Sequence, residues 1–203
     1  MTWLDIGKLA LTAVIAYLIG SLSPGILIGR FKGHDIRSEG SKNTGATNVL
    51  RTVGLKEGLV TFLCDFAKAA LAIFIGKWIA GYVGGLCAGL FVVTGHNWPI
   101  YYGFKGGKGI SCSTAVVLCT FFWQGAVACA VCVLFIAATK YVSVGSLSLV
   151  TTFAILVLIT VGWPEGIWAI VIAAMAFYRH RTNLVRLKNG TENKLSFHKK
   201  KTE

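Results

Sequence analysis

Acidic residues are scarce in this sequence. Only 8 Asp and Glu stand against 20 Lys and Arg in 203 residues, so the net charge is +12. Charged residues of both signs make up 14% of the chain, against roughly 25% in soluble domains, while 55% of the residues are hydrophobic. This composition excludes an ordinary water-soluble globule and a disordered chain. It predicts an all-α, polytopic integral membrane protein whose positive charges lie outside the apolar segments.

Several sequence patterns with known chemistry are also missing. The chain has no G-x-x-x-x-G-K-[ST] phosphate loop, no G-x-S-x-G nucleophile elbow and no His-x4-Asp acyltransferase dyad. The six cysteines lie almost entirely within apolar segments, and we interpret them as small hydrophobic residues. We therefore predict no metal and no cofactor, and we expect no nucleic-acid partner.

Long apolar segments and clustered positive charge organise the chain. The apolar runs cover residues 6–29, 58–80, 82–99, 110–139, 144–162 and 164–178. The first run is predicted to be a retained helix and not a cleaved signal peptide, since it lacks an A-x-A site. The loop 30–56 carries six Lys or Arg and the segment from Arg179 onward carries eight. Both are predicted to be cytoplasmic, because positive charge is retained on that side of the membrane.

The number of membrane spans depends on one segment. About seven spans, with the N-terminus outside and the C-terminus cytoplasmic, require that 110–139 is a helical hairpin turning at Trp123-Gln124-Gly125. Five spans are the alternative, in which 110–139 and 144–178 each form one helix. In both cases residues 1–180 form a single membrane-embedded domain, and residues 181–203 form a cytoplasmic basic tail.

Three polar segments are predicted to collect on the cytoplasmic face. The first, Gly20–Gly25, places Ser and Pro at the end of an apolar helix, where freed backbone groups need new partners. The second runs from Gly40 to Arg51, and its Ser, Asn, Thr and Gly residues would let backbone N–H groups surround an anion while Arg51 supplies charge. The third runs from Gly95 to Gly109 and holds Lys105 and Lys108 among glycines, which suits a phosphate or phosphoester.

Weaker signals extend this set. Asp65 and Lys68 are three residues apart in an apolar run and are predicted to pair on one helix face, since ionisable groups inside a membrane need partners. The sequence favours neither a structural nor a catalytic role for His96. Because the polar segments offer few acids to serve as a general base, we predict a rigid phosphate-binding site that acts on an already activated substrate.

These polar segments resemble the motifs of a known enzyme family. Ser21-Leu22-Ser23-Pro24 with Gly29, Gly40–Arg51 and Gly95–Gly109 are similar to the three motifs of the PlsY family of bacterial acyl-phosphate:glycerol-3-phosphate acyltransferases, and His180–Leu184 resembles a fourth. The Gly-Ala-Thr-Asn and Phe-Lys-Gly-Gly-Lys-Gly strings are specific to that family. The chain departs from the family pattern at Lys42, where a small residue is frequent, and at Thr182, where an acid is common.

The resemblance implies a reaction and a set of site residues. The implied enzyme lies in the bacterial inner membrane with its active site facing the cytoplasm, and it transfers an acyl group from acyl phosphate to the 1-hydroxyl of glycerol 3-phosphate. Lysophosphatidic acid and phosphate are the products, in the first step of phospholipid synthesis. The implied catalytic residues are Ser41, Arg51, His96 and Lys108. The implied substrate-binding residues are Asn43, Thr47, Asn48, Lys105, Gly106, Gly107, Ser143, His180 and Asn183.

The expected partners are glycerol 3-phosphate, acyl phosphate and membrane lipid, and a soluble acyl-phosphate synthase is a further candidate. The competing hypothesis is a membrane transporter for a phosphorylated anion. A transporter would place its functional residues near the membrane midplane and would be built from an inverted repeat. The sequence shows no such repeat, and its polar segments cluster at one face.

Overall fold

The computed structural model describes residues 2–195, and within that range every regular element is helical. The last part of the predicted tail, including Lys199-Lys200-Lys201, lies outside the described residues. The helices are α1 (Trp3–Ser21), α2 (Pro24–Phe31), α3 (Ala46–Thr52), α4 (Leu55–Asn97), α5 (Ile110–Thr120), α6 (Phe122–Thr139), α7 (Val142–Thr160), α8 (Trp163–Arg179) and α9 (Arg181–Lys188). A 3-10 turn, Ile100–Tyr102, follows α4.

Four of the helical segments are long and apolar enough to cross a membrane: Trp3–Phe31, Leu55–Tyr102, Phe122–Thr139 and Val142–Thr160. Helix α5 is apolar but shorter. Many large apolar side chains, such as Phe74, Trp78 and Ile159, point away from the protein interior. Such an apolar exterior is expected where lipid is the solvent. The prediction of an all-α integral membrane architecture is therefore confirmed.

Helix α4 consists of two antiparallel arms. Its backbone leaves helical geometry at Ala80 and Gly81, and Gly81 has a φ of 61°, a value that glycine adopts without strain. The two arms approach closely where Gly76 meets Gly84, because a Cβ on Gly84 would lie 2.1 Å from the Gly76 carbonyl oxygen. The apolar runs 58–80 and 82–99 thus form two helices, as predicted.

The segments that the five-span alternative treats as single helices are each divided in two. Helices α5 and α6 separate at Phe121, whose ring centroid lies 6.2 Å from that of Phe153 and 6.1 Å from that of Trp168. Helices α7 and α8 separate at Gly162, which has a φ of 141°. The predicted hairpin in 110–139 is confirmed, although the number of helices that cross the bilayer stays a prediction.

The predicted position of the hairpin turn, Trp123-Gln124-Gly125, is wrong. All three residues lie inside α6, and the chain reverses at Phe121. Gly125 is needed for packing and not for turning, since a Cβ there would lie 2.4 Å from the Val117 carbonyl oxygen of α5. A glycine that permits close helix contact and a glycine that permits a turn look the same in a sequence.

Helix contacts place all the polar segments at one end of the molecule. Helix α1 runs parallel to the second arm of α4, since Cys87 Sγ lies 3.6 Å from the Leu9 carbonyl oxygen and Tyr17 Oη donates to the Trp98 carbonyl oxygen at 2.8 Å. The ends of α1, α4, α6 and α8 therefore lie at one end of the molecule, and the starts of α5 and α7 lie at the same end. We call this the motif end of the molecule.

Candidate active site

A cavity of about 320 Å³ opens at the motif end. Its polar part is lined by the 41–51 segment, the end of α4, the start of α5, the start of α7 and the chain after α8. The residues there are Ser41, Asn43, Thr47, Asn48, Arg51, His96, Lys108, Ser111, Ser143, Ser146, His180, Asn183 and Glu192. Its apolar part lies between α4, α5 and α6 and is lined by Phe62, Ile110, Cys129, Cys132, Val133 and Ile136. One space thus joins a cationic, hydroxyl-rich end to an apolar end.

Asn48 organises the polar loop that precedes α3. Its side chain is buried, and its Nδ2 donates to the carbonyl oxygens of Ile36 at 2.9 Å and Glu39 at 3.2 Å. Its Oδ1 accepts from the backbone N–H of Ser41 at 2.8 Å and from Ser41 Oγ at 3.1 Å. The Asn48 amide is thus occupied within the loop, and it fixes Ser41 at the cavity wall.

Two cations of the cavity are held by contacts from distant parts of the chain. Lys108 Nζ donates a hydrogen bond to Asn183 Oδ1. Arg51 Nη2 donates to the Asn193 carbonyl oxygen at 3.1 Å. The α3 segment, the loop before α5 and the chain around α9 are therefore tied together across the cavity mouth.

Glu192 also lines the cavity, and the sequence analysis did not predict this. Its carboxylate is buried and accepts hydrogen bonds from Ser143 Oγ at 3.0 Å, Asn183 Nδ2 at 2.6 Å and Arg186 Nε at 2.7 Å. Burial alone would raise the pKa of Glu192, but these three hydrogen bonds outweigh it and lower that pKa below its usual range. The signal available in the sequence was one isolated acid within a strongly basic stretch.

The C-terminal chain contributes more than surface charge. Besides Glu192, the Leu195 backbone N–H donates to the Lys140 carbonyl oxygen at 2.7 Å, which anchors the chain after α9 to the α6–α7 connection. The division into a domain 1–180 and a tail 181–203 stays a prediction. Asn183 and Glu192 from this stretch nevertheless supply part of the cavity wall.

The titratable groups of the cavity have shifted pKa values. Burial, together with repulsion from Arg186, lowers the pKa of Lys108 to about 8. Burial and the nearby Lys108 ammonium lower the pKa of His180 to about 4. At neutral pH the cavity therefore presents Lys108 as a cation and His180 as a neutral imidazole, whose Nδ1 lies 2.8 Å from the Ala176 carbonyl oxygen.

Asp65, His96 and Cys112 each offer an atom that could bind a metal ion, and these three atoms lie within 4.8 Å of one another. However, the Lys68 ammonium lies 2.7 Å from Asp65 Oδ1 and 3.2 Å from His96 Nδ1. The Lys68 ammonium is therefore already the cation beside Asp65 and His96, and its charge would repel a metal ion there. The donor set therefore does not suit a metal ion, and the Asp65–Lys68 pair forms as predicted.

A second cavity of about 340 Å³ adjoins the first. It shares Ser41, Asn43 and Lys108 with the first cavity, and it is otherwise strongly basic. Its remaining lining residues are Arg37, Lys42, Phe104, Lys105, Gly106, Arg179, Arg181, Thr182 and Arg186. Lys105 and Gly106 therefore lie on this side, apart from most of the predicted site residues.

Gly107 lies behind the cavities, against His96. A Cβ on Gly107 would be 1.9 Å from His96 Nε2, and the Gly107 backbone N–H donates to the His96 carbonyl oxygen at 3.0 Å. Arg179, which the sequence analysis did not single out, donates from Nε to the Gly107 carbonyl oxygen and from Nη2 to that of Gly106, each at 2.8 Å. The glycines are thus required because the loop is packed tightly from two sides.

Comparison with protein families gives a consistent match. A family model described as glycerol-3-phosphate acyltransferase matches residues 10–190. The curated glycerol-3-phosphate acyltransferase of Thermoanaerobacter sp. (strain X514) is 43% identical over 189 residues, covering 91% of this chain and 94% of the relative. That of Shouchella clausii (strain KSM-K16) is 44% identical over 198 residues, covering 93% and 96%.

Solved structures agree with these matches. The crystal structure of PlsY, an integral membrane glycerol 3-phosphate acyltransferase, in its glycerol 3-phosphate form superposes with a TM-score of 0.88 at 33% identity. The alignment covers 93% of this chain and 96% of that one. The lysophosphatidic acid form gives a TM-score of 0.84 over the same coverage.

The lowered pKa of Lys108 predicts pH-dependent anion binding. Below about pH 8 Lys108 is an ammonium, and as the pH rises through that value it becomes a neutral amine. We expect sulfate, whose charge is constant in this range, to bind progressively more weakly as the pH rises above 8. Isothermal titration of the purified protein measures this. The Lys108→Arg variant, which stays charged, should keep its affinity, and a flat profile for the unsubstituted protein would contradict the assignment.

Proposed function

Because the chain belongs to the glycerol-3-phosphate acyltransferase family, we propose that it acylates the 1-hydroxyl of glycerol 3-phosphate with acyl phosphate as donor. Membership of the family establishes an acyltransferase that uses glycerol 3-phosphate. The donor, the roles of individual residues and the orientation in the membrane are the proposed parts. The transporter hypothesis is set aside, since no feature of the described residues favours it over the family assignment.

The observation that carries the proposal is the union of a cationic end and an apolar end in one cavity. In an acyl phosphate the phosphate is joined to the hydrocarbon chain through the acyl carbonyl group. In the lysophosphatidic acid product the acyl chain and the phosphate are joined through glycerol. Arg51 and Lys108 would hold phosphate groups, while Cys132, Val133 and Ile136 would line the path of the chain. The glycerol 3-phosphate and lysophosphatidic acid forms of PlsY support this use of the cavity.

The proposed chemistry needs no covalent intermediate on the protein. The 1-hydroxyl oxygen attacks the acyl carbonyl carbon, the bond from that carbon to the phosphate oxygen breaks, and the released phosphate takes the hydroxyl proton. Glu192 is a poor general base, because three hydrogen bonds hold its pKa low. Arg51, Lys108 and Ser41 would stabilise the negative charge that develops on the phosphate and the carbonyl oxygen.

Some of the remaining predicted residues would contact substrate in this proposal, and others would position neighbouring groups. Asn43, Thr47, Ser143 and His180 line the cavity and would contact substrate. Asn183 also lines it and would act through Lys108, since its amide is occupied by Lys108 and Glu192. Asn48 would act through Ser41, since its own amide is occupied within the loop. Lys105 and Gly106 would meet a phosphate entering from the basic cavity, and Gly107 would allow the tight packing of that loop on His96. A soluble acyl-phosphate synthase as partner stays a prediction.

The donor is tested by direct assay. Purified protein in lipid nanodiscs is incubated with labelled glycerol 3-phosphate and either acyl phosphate or acyl-CoA. We expect labelled lysophosphatidic acid with acyl phosphate only, because the cavity has room for a phosphate next to the chain. Product from acyl-CoA alone would overturn the donor assignment, although the family assignment would stand.

The cations of the cavity are tested by substitution. Removing a preorganised donor from a developing negative charge costs about 10²–10³-fold in kcat, and we expect losses of that order for Arg51→Ala and for Lys108→Ala. Lys188→Ala, which changes a cation of α9 outside both cavities, is the matched control and should keep its activity. Full turnover by either cavity variant would show that these cations do not serve the reaction.

We further propose seven spans in the bacterial inner membrane, with the N-terminus outside and the motif end in the cytoplasm. Positive charge is concentrated in the loop 30–56 and after Arg179, which supports this orientation. In a cysteine-free background, Thr2→Cys should react with a membrane-impermeant maleimide in intact cells. Lys188→Cys should react only after permeabilisation. The reverse pattern would exclude the orientation.

A further inference from the structure

Three ionisable side chains meet in the interior near the motif end, and one of them, His96, also lines the cavity. Asp65 and Lys68 come from the first arm of α4 and His96 from the end of the second arm. Asp65 Oδ1 lies 2.7 Å from Lys68 Nζ and 3.2 Å from His96 Nδ1, and Lys68 Nζ lies 3.2 Å from the same imidazole nitrogen. All three residues are buried, with relative exposures of 1%, 8% and 5%. We call them the α4 triad.

Contacts of the α4 triad reach α1 and α5 as well as both arms of α4. Lys68 Nζ donates to the Leu22 carbonyl oxygen, which the break between α1 and α2 leaves without a helical partner. Cys112 Sγ, from α5, lies 3.4 Å from the Asp65 carbonyl oxygen. Helix α1, both arms of α4 and α5 are therefore held relative to one another at this point.

The triad also reaches the glycine loop that carries Lys108. The His96 carbonyl oxygen accepts from the Gly107 N–H, and the imidazole ring lies against the Gly107 Cα so closely that no Cβ would fit. A Cβ on Gly106 would lie 2.2 Å from the His96 carbonyl oxygen. Since Arg179 bonds both glycine carbonyls from the opposite side, the position of His96 determines where the loop lies and hence where the Lys108 side chain starts.

We propose that Asp65 and Lys68 are positioning residues for the active site: they fix His96, and through it the Gly106–Gly107 peptides from which Lys108 enters the cavity. An ion pair suits this task because hydrogen bonds and charges impose direction, which apolar packing does not. Burying ionisable groups in a membrane protein is costly unless they are paired. That cost is understandable if the pair sets the geometry of a site.

The test uses the full-length protein in nanodiscs and a variant that removes both charges, Asp65→Leu/Lys68→Met. Removing the two together avoids leaving one buried charge without its partner. Lys77→Met is the matched control, because Lys77 lies on the same arm of α4 and its Nζ also donates to a backbone carbonyl, that of Cys119, at the opposite end. Folding is followed by thermal unfolding.

The decisive measurements are the Kd for inorganic phosphate and the KM for each substrate. We expect the double variant to weaken phosphate binding and to raise a substrate KM by at least about tenfold, the change produced by roughly 1.4 kcal/mol, while the control changes neither. A purely structural role would lower the melting temperature and the active fraction but leave Kd and KM unchanged. That result in a folded double variant would overturn the proposal.

If the double variant does not fold, Asp65→Asn/Lys68→Gln replaces it, which also removes both charges but keeps hydrogen-bonding groups, and the same criteria apply. The kinetic part rests on the proposed function, whereas phosphate binding does not require an acyl donor. A protein that binds phosphate but does not use acyl phosphate would therefore refute the donor assignment, and the proposal on the α4 triad would still be judged from Kd.

Discussion

The constraint on which this structure depends is that backbone N–H and C=O groups cannot be left without partners in lipid. Apolar segments must therefore be continuous helices, and each departure from helical geometry must be placed where other groups can satisfy the backbone. The interruption at Ser21–Pro24 shows how this is met, since Lys68 bonds the carbonyl oxygen of Leu22 that the break releases. Reversals at Gly81, Phe121 and Gly162 lie at the opposite end from the polar segments.

Because consecutive apolar helices reverse direction, the connections at the motif end come from segments far apart in the sequence. One cavity is surrounded in this way by residues from four such segments, Ser41, Lys108, Ser143 and Glu192. The same helices supply the apolar side of the cavity, where α6 presents Cys132 and Ile136. Polar and apolar walls therefore lie side by side in one space, an arrangement that suits a molecule with a charged group and a hydrocarbon chain.

Electrostatics in the site depend on a balance between burial and pairing. Lys108 is half-buried and His180 is buried, and their pKa values fall mainly because the charged forms lose solvation. Glu192 moves in the direction that retains its charge, since three donors face its carboxylate. The cavity therefore offers the positive charge of Lys108, while the Glu192 carboxylate is already hydrogen-bonded within the protein. Such a site suits the stabilisation of phosphate charge better than proton abstraction.

The sequence by itself determined the all-helical membrane class, the apolar segments, the Asp65–Lys68 pair and the polar motifs that belong at one end. These features are local: hydropathy, helix spacing and glycine-rich composition act over a few residues. Only the tertiary structure decided that Glu192 and Arg179 lie at the site and that the α5–α6 reversal is at Phe121 and not at Gly125. The reason is that these positions follow from close contacts between segments that are distant in the sequence. The absence of a Cβ at Gly125 and the hydrogen bonds of the Arg179 guanidinium determine two of these contacts. Local sequence patterns do not show which segments will meet.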